Sequence, residues 1–347
     1  MMLKPIVTVL VPCHNYAHYL PHCMRSVLDQ TDVDVDVFVI DDASTDGSVD
    51  VASKIARQDS RVRLVSLPDN IGMVPALNYG LSHGIGDYFV KLDADDMLTP
   101  GSLRRSLSFF ERHPDVGFVY GRPRHFTGDV PPRERVGRPR WTVWPGERWL
   151  ALRYGRAFNC ISQPEVVIRT SALRQAGFYN LKLPHTSDLE MWLRLAAIAP
   201  VGRINRADQG YYRVHPGSMQ RTVNSGLMKD FIGRRDAFLS ALSAVGDQVH
   251  LAPALERSVR KELAAQALDC CCRAFDRERV DAVPMLELTE FAFATYPASA
   301  TLPEWKGLER RRRQGVRSKW SPGSLVLSAT RRIREEFAHF RWVRTGV

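Results

Sequence analysis

The hexapeptide KLDADD, residues 91–96, places three carboxylates directly behind the apolar run YFV, residues 88–90. Such a run favours a strand, and open α/β sheets bind ligands at the carboxyl ends of their strands. Carboxylate oxygens suit Mg²⁺ or Mn²⁺, which hold a substrate's phosphates through one or two carboxylates. The turn therefore predicts a metal-assisted nucleotide-diphosphate site. The alternative is a solvated turn in which Asp95 or Asp96 caps a helix that begins near Pro100.

Strand-like and helix-like segments alternate along the chain before this turn, as in a parallel βαβ sheet. Apolar runs predict strands at 6–11, 35–40 and 62–66, and helical patterns lie at 18–30, 48–57 and 73–83. Each unit has about the length of one strand–helix–strand crossover. The predicted fold class is therefore α/β, with a mostly parallel sheet flanked by helices.

A second acidic cluster, DDASTDGS at residues 41–48, follows the second predicted strand. Both clusters should face one crevice, where an acid after the second strand commonly binds a ribose hydroxyl or a base N–H. Asp42 is the residue predicted to do so, whereas the later residues of the cluster, Ser44, Thr45 and Asp46, are better explained as helix caps. A dehydrogenase site is disfavoured because the turn PCHNY, residues 12–16, lacks the glycines that approach a pyrophosphate.

Five motifs together resemble the family-2 glycosyltransferases of the GT-A fold, over roughly residues 5 to 220. They are VLVPCHN at 9–15, DDASTDGS at 41–48, NIG at 70–72 with ALNYG at 76–80, DADD at 93–96, and SDLEMW at 187–192. Five motifs in the right order are more specific than any single one. The resemblance implies an inverting, metal-dependent enzyme that takes a sugar from a nucleotide-diphosphate donor.

The resemblance also implies a role for each matching residue. Asp188 would be the catalytic base, and Asp42 would contact the base of the donor. The donor would be bound by Pro12, Asn15, Asp41, Asp42, Asn70, Gly72, Asp93 and Arg213. Asp95 and Asp96 would hold Mn²⁺ or Mg²⁺, and His215 would add a metal ligand. For His215 the alternative is a turn residue ahead of Pro216, and for Arg213 the expected partner is a phosphate oxygen.

Asp188 begins an amphipathic helical pattern in which apolar residues recur at core-facing spacing. The first turn of a helix favours an ionised acid, by about 0.3–1 kcal/mol, so Asp188 should be available as a base at neutral pH. Residue type alone would favour a capping role, and the resemblance favours catalysis. Glu190 and Arg194 could orient Asp188, or they could pair with each other across one helical turn, which is the arrangement we expect.

The length of 347 residues allows a large catalytic domain and an appendage. We predict a GT-A catalytic domain at 1–225, with a donor half at about 1–120 and an acceptor half at about 121–225. Helical patterns at 231–245, 255–275 and 285–295 lack strand alternation. They predict a helical appendage at 226–303, followed by a basic tail at 304–347.

A basic segment rich in Pro and Trp, residues 122–156, lies between the acidic turn and Asp188. This is the expected place for an acceptor loop, in which Trp141, Trp144 or Trp149 could stack on a sugar ring. Core packing is the commoner role for tryptophan. We expect one of the three to lie in the acceptor site.

Most of the positive charge lies at the end of the chain. Of the formal net charge of +10, residues 304–347 contribute +8, from twelve Lys or Arg against four Glu. Such a basic amphipathic surface could hold the enzyme at an anionic membrane, where lipid-linked acceptors lie, or it could be a solvated helix or a disordered end. Nucleic acid is not an expected partner, because the tail has no recognised reading motif.

The six cysteines suggest reduced thiols, since the adjacent residues at 270–272 have neither a disulfide pattern nor metal-ligand spacing. No apolar run reaches the roughly 18 residues that suggest a membrane span, and no signal peptide is recognised. We therefore expect a cytoplasmic enzyme, with peripheral contact at the inner face of the membrane through the basic tail.

The leading functional hypothesis is an inverting glycosyltransferase with a glycan or lipid-linked acceptor, in the synthesis of cell-surface polysaccharide or glycoconjugate. A nucleotidyltransferase would use a similar acidic metal site, but it should carry a Gly- and Arg-rich phosphate loop after the first strand, and none is visible. A sugar-nucleotide-binding scaffold without turnover is the third hypothesis. The presence of every carboxylate that the chemistry needs argues against it.

Overall fold

The computed structural model describes residues 4–84, 86–218, 226–245 and 249–314, and the chain divides into two compact units. The first unit comprises residues 1–149 and 161–222, and the second comprises 150–160 and 223–347. Every residue predicted to bind the donor or the metal, or to act as the base, belongs to the first unit.

The first third of the chain forms the parallel half of an eight-stranded sheet. Its strands are β1 (Ile6–Cys13), β2 (Asp34–Asp41), β3 (Val62–Ser66) and β4 (Tyr88–Lys91), and its helices are α1 (Leu20–Leu28), α2 (Ser48–Gln58) and α3 (Met73–Leu81). The strands lie in the order β3-β2-β1-β4, and each neighbouring pair is parallel. This confirms the predicted fold class and the predicted alternation of elements.

The next elements along the chain extend this sheet and add a second one, and all of them belong to the first unit except the last five residues of helix α5. They are β5 (Met97–Leu98), α4 (Ser102–Arg112), β6 (Phe118–Tyr120), β7 (Pro123–Phe126), β8 (Val136–Trp144), α5 (Gly146–Tyr154), β9 (Val167–Arg169), α6 (Thr170–Ala176), α7 (Ser187–Ile198), β10 (Val201–Ala207) and β11 (Gly210–Arg213). The large sheet continues from β4 through β9, β6, β10 and β8, and β5-β11-β7 form the small sheet. Because β9 is antiparallel to β4, its first residues lie beside the carboxyl end of β4.

The centre of the sheet is dry and closely packed. Strand β1 is buried from Val7 to Cys13. Helix α3 lies directly against it, since a Cβ atom at Gly80 would be 2.3 Å from Ile40 Cδ1 and 2.8 Å from Leu10 Cδ1. This close approach fixes α3 on the sheet, and its first residues therefore reach the carboxyl edge of the strands.

The three tryptophans of the basic segment pack against aromatic side chains of the protein. Trp149 is fully buried, and its indole N–H donates to the Tyr120 hydroxyl at 3.4 Å. Trp144 is buried and stacks on the Tyr120 ring at 6.3 Å, and Trp141 packs on Phe109 at 5.3 Å. Packing, the commoner role of tryptophan, accounts for these contacts. That one of the three lies in an acceptor site stays a prediction.

The second unit is helical over its described residues. Its long helices are α8 (Leu227–Val245), α9 (Ala252–Asp276), α10 (Met285–Thr295) and α11 (Pro303–Gln314). The first part of the predicted basic tail thus belongs to α11, where Arg311 is buried and pairs with Asp276 at 2.8 Å. The rest of the tail, 315–347, lies outside the described residues.

Two further observations concern the chain's chemistry. All six cysteines are free thiols. Within the described ranges, no helix combines the length and the apolar character that crossing a membrane requires.

Candidate active site

Lys91, at the end of β4, forms ion pairs with two carboxylates, those of Asp93 and Asp188. Its Nζ lies 3.0 Å from Asp93 Oδ1 and 3.3 Å from Asp188 Oδ2. The lysine side chain is only 2% exposed, so its charge is almost entirely neutralised by these two acids rather than by water. Asp93 follows β4 and Asp188 lies in the first turn of α7, and the structure therefore brings two predicted site residues together around a cation that had no predicted role.

The two carboxylate oxygens of Asp188 differ in their hydrogen bonding. Lys91 donates to Oδ2, whereas Oδ1 is buried without a hydrogen-bond partner. Burial raises the pKa of Asp188, the charge of Lys91 lowers it, and the charge of Asp93 raises it again. Helix α7 has no side-chain cap hydrogen bond, so Asp188 does not cap it. An acceptor for a proton is thus held at the carboxyl edge of the sheet.

The segment before α7 is fixed by two neighbouring elements. Asn78 of α3 holds Tyr179 by both backbone groups, accepting its N–H at 2.9 Å and donating to its carbonyl at 2.8 Å. Arg194 donates to the carbonyls of Ala176 and Phe178. These contacts give α7, and with it Asp188, a defined orientation.

Glu190 is committed to Arg194, which confirms the predicted pairing. The two side chains form a buried, two-pronged ion pair with distances of 2.8 and 2.9 Å. Since a buried guanidinium needs its counter-charge, Glu190 stabilises the helix and its approach segment.

Asp95 and His215 form a second polar pair at the acidic turn. Asp95 Oδ2 lies 2.9 Å from His215 Nε2, and each side chain is 12% exposed. Burial and the charge of Asp93 raise the pKa of Asp95, while the hydrogen bond from His215 lowers it. His215 follows β11, which lies in the small sheet together with β5, and this places a nitrogen donor beside the carboxylate.

Asp96 points into the protein. It is 2% exposed, and its Oδ1 accepts the backbone N–H of Arg213 at 2.8 Å. Burial, followed by the charges of Asp95 and Asp93, raises its pKa well above the ordinary value. The capping alternative for the acidic turn is not observed, because α4 begins after Gly101 with no side-chain cap.

Arg213 is buried and holds the turn by its guanidinium. Its Nε donates to the Asp95 carbonyl at 2.9 Å, and its Nη1 donates to the Gly128 carbonyl. The guanidinium carbon lies 4.6 Å from the ring centres of both Tyr19 and Phe126. Nη2 is buried without a hydrogen-bond partner, so one nitrogen of the fork remains for an additional acceptor.

A divalent metal fits the Asp95–His215 pair. Within the part of the chain that the structure describes, no three His, Cys, Asp or Glu side chains form a preassembled metal cluster. Mg²⁺ and related ions usually take only one or two protein carboxylates and complete their shells with water and phosphate oxygens. Burial and the negative charge of Asp93 raise the pKa of Asp95, and a cation bound there would favour its ionised form instead.

Asp42 shapes the loop after β3. Its two oxygens accept the backbone N–H groups of Ile71 and Gly72, each at 2.8 Å. Gly72 has a φ of +90°, which favours glycine at this position. Asp41 accepts the N–H of Ser44 through Oδ2, whereas its Oδ1 is buried without a partner. Of the two acids, Asp41 thus has an oxygen that accepts no hydrogen bond from the protein.

Asn15 connects the loop after β1 to the loop after β2. Its Oδ1 accepts the N–H groups of Thr45 at 2.8 Å and of Asp46 at 3.3 Å. Asp46 in turn accepts the N–H of Ser48, the first residue of α2, at 2.9 Å. The N-cap of α2 is Gly47, without a side-chain cap hydrogen bond, so the expected capping by this cluster is not observed. Ser44 and Thr45 instead contact Asn15.

His14 is a further polar residue of this edge. Its Nδ1–H donates to the Asp42 carbonyl at 2.7 Å, and Asn70 Nδ2 lies 3.2 Å from the same ring. Pro12, at the end of β1, precedes it. The signal that could have identified His14 is its position in the turn after the first strand, beside Asn15. These residues together line the predicted donor edge.

Comparisons with known proteins agree with this architecture. Residues 8–174 match the family model described as Glycosyl transferase family 2. The hyaluronan synthase of Pasteurella multocida is 28% identical over 225 residues, which cover 65% of this chain and 22% of that protein. The chain therefore spans less than a quarter of the length of that relative.

Two solved structures have a similar fold. S. aureus TarS 1–349 in complex with UDP-GlcNAc gives a TM-score of 0.62 at 18% identity, covering 89% of this chain and 92% of that chain. The mannosyltransferase PcManGT from Pyrobaculum calidifontis, in complex with GDP-Man and Mn²⁺, gives a TM-score of 0.51 at 18% identity and covers 88% of each chain. Residues 8–174 therefore form a glycosyltransferase family 2 domain, and the chain shares the GT-A fold of these two structures.

Proposed function

We propose that this enzyme transfers a sugar, with inversion, from a nucleotide-diphosphate donor to a hydroxyl group of a glycan or lipid-linked acceptor. The observation that carries the proposal is Asp188, whose Oδ2 is fixed by Lys91 while Oδ1 has no partner. A carboxylate oriented in this way, at the ligand-binding edge of the sheet, has the geometry of a general base.

The proposed reaction is a single displacement. The acceptor oxygen forms a bond to the anomeric carbon, the bond from that carbon to the diphosphate oxygen breaks, and the acceptor proton passes to the carboxylate of Asp188. The nucleoside diphosphate leaves with the bonding electron pair. Attack from the face opposite the leaving group inverts the anomeric configuration.

The donor is proposed to lie along the edge formed by β1, β2 and β4. Pro12, Asn15, Asp41, Asp42, Asn70, Gly72, Asp93 and Arg213 are the proposed donor-binding residues. The free Oδ1 of Asp41 suits a base N–H, and Asp42 would act by holding the loop at 70–72. The UDP-GlcNAc and GDP-Man in the two structural neighbours support a nucleotide sugar as the donor class.

We further propose Mn²⁺ or Mg²⁺ as the metal, held by Asp95 and His215, with Asp96 in a supporting position. A divalent cation bound there would stabilise the charge of the leaving diphosphate. The Mn²⁺ in the PcManGT complex supports this choice. Asp95 and His215 are already 2.9 Å apart, so only a small separation of the two side chains would admit a cation.

The acceptor is proposed to be a growing cell-surface polysaccharide or glycoconjugate, which the similarity to hyaluronan synthase supports. Residues 315–347 carry seven Lys or Arg and two Glu, a net charge of +5. Opposite charge would attract this segment to an anionic cytoplasmic membrane surface. Deleting 315–347 should abolish flotation with anionic liposomes and leave donor hydrolysis intact. Undiminished flotation would contradict a membrane role.

The experiment that tests the proposed function is a donor screen. UDP- and GDP-sugars are incubated with the enzyme and Mn²⁺, and release of the nucleoside diphosphate is measured with and without EDTA. The expected result is release from at least one donor that EDTA suppresses. Binding of a donor without release, across a panel of glycan and lipid-linked acceptors, would instead identify a scaffold.

A further inference from the structure

We infer that Lys91 is a positioning residue for the proposed transfer, because its ammonium holds Oδ2 of Asp188 and ties the base to Asp93 of the donor turn. This inference rests on the proposed role of Asp188 as the base. It goes further by assigning the orientation and the charge state of that base to one buried cation.

The geometry of Lys91 supports this role. It is the last residue of β4, and its carbonyl accepts the Gln163 side-chain N–H at 3.3 Å, so the strand end is held on both sides. Its Nζ reaches Asp93 at 3.0 Å and Asp188 at 3.3 Å. A surface ion pair would contribute little, but a cation this deeply buried is constrained by its partners and constrains them in return.

The two acids differ from the lysine in their exposure. The Asp93 side chain is 31% exposed and that of Asp188 is 27% exposed, whereas Lys91 is 2% exposed. Both carboxylates can therefore meet a ligand on one side while the ammonium holds them from the protein side. The buried ammonium of Lys91 would thus position both the donor, through Asp93, and the acceptor, through Asp188.

The charges around Asp188 give Lys91 a second effect. Lys91 on β4 and Asp93 in the following turn act on the carboxylate directly. Tyr179, in the segment before α7, has a buried hydroxyl whose pKa is raised by burial and by the charge of Asp188. Burial and Asp93 favour the protonated form of Asp188, and Lys91 favours the ionised form. Removing Lys91 should therefore require a higher pH to ionise the base.

The variants are Lys91→Met, which removes the charge, and Lys91→Arg, which keeps it. Lys91→Gln replaces Lys91→Met if the latter does not fold, since glutamine retains a hydrogen-bond donor without the charge. Arg311→Met is the matched control, because it also removes a buried cation from its acid, Asp276, in the second unit. The control should lower stability without changing any pH profile.

The kinetic readout uses a donor found by the nucleotide-sugar screen. Lys91→Met should lower kcat by about 10²-fold or more, as expected for lost general-base assistance. The acid limb of its kcat/KM profile should move to higher pH by about one unit or more, and Lys91→Arg should restore it. In the Asp188→Asn background, Lys91→Met should cause little additional loss of kcat, because both changes act through one group. Additive losses would overturn the inference.

A titration that needs no donor separates this inference from the proposed function. The carboxyl ¹³C signal of Asp188, assigned by its loss in Asp188→Asn, is followed against pH in the parent and the variants. Lys91→Met should raise the pKa of Asp188, and Lys91→Arg and Arg311→Met should not. An unchanged titration in Lys91→Met overturns the inference even if a donor is turned over. Failure of the donor screen alone would instead contradict the proposed function.

Discussion

Replacing Asp188 by Asn should separate catalysis from folding. The substitution keeps the size of the side chain, and the amide oxygen can still accept from Lys91 at the 3.3 Å position of Oδ2. What it removes is the proton-accepting carboxylate. Lys91 retains Asp93 at 3.0 Å as its counter-charge. We therefore expect a loss of stability of only about 1 kcal/mol.

The expected loss of activity is much larger. General-base assistance contributes about 10²–10⁴-fold, which corresponds to about 3–5 kcal/mol of the activation barrier. Because the base acts in the chemical step, kcat should fall by this factor while donor affinity changes little. The assays are initial rates of nucleoside-diphosphate release in the presence of acceptor, donor titration by calorimetry, and thermal unfolding.

Glu190→Gln is the control on the same helix. Glu190 is the counter-charge of the buried Arg194, so its removal should cost about 3–5 kcal/mol of stability. At about 2–4 °C per kcal/mol, the Tm should fall by roughly 6–20 °C. Turnover per folded molecule should exceed that of Asp188→Asn. Near-normal transfer by Asp188→Asn, together with a folded but inactive Glu190→Gln, would refute the assignment and make Glu190 the base.

Three further predictions concern other parts of the first unit. Asp95→Asn and His215→Ala should each weaken Mn²⁺ binding measured by electron paramagnetic resonance with UDP present, and unchanged affinity in both would contradict the metal site. Burial raises the pKa of Glu165 from 4.5 to about 8, so the folded state binds this proton more tightly than the unfolded state does. The resulting contribution to the free energy of unfolding is complete below about pH 4.5 and is lost as the pH rises through 8. Urea unfolding at pH 5 and 8 should therefore show a smaller decline for Glu165→Gln than for the parent, and equal declines would refute this. Asn15→Ala removes the acceptor of the exposed Thr45 N–H and should cost about 0.5–1.5 kcal/mol, measured by urea unfolding; parent-like stability would show that the loop does not depend on this contact.

The parallel half of the sheet could be predicted from the sequence because its signals are local. Apolar runs identify β1 to β4, and the helical patterns between them are long enough to be distinct. Strands such as β5 and β9, with two and three residues, are too short to give a periodic signal. Their pairing depends on neighbours far along the chain, and the small sheet was therefore not foreseen.

The candidate site could be located from the sequence, but its side-chain directions could not. Carboxylates at the ends of β2 and β4 place the site by topology alone. Asp96 turns inward because it accepts the N–H of Arg213, which lies 117 residues further along the chain. Lys91 likewise acts on Asp188, which lies 97 residues further along. The local signal that could have identified Lys91 is its position, since it is a charged residue at the end of a buried strand.

The most direct test of the proposed inverting transfer is the anomeric configuration of the first product. An α-linked nucleotide sugar that the enzyme accepts is incubated with acceptor and Mn²⁺, and the anomeric proton of the product is followed by ¹H NMR as it forms. Direct attack by an acceptor hydroxyl activated by Asp188 predicts a β-linked product from the first turnover. An α-linked product would contradict a single displacement with Asp188 as the base.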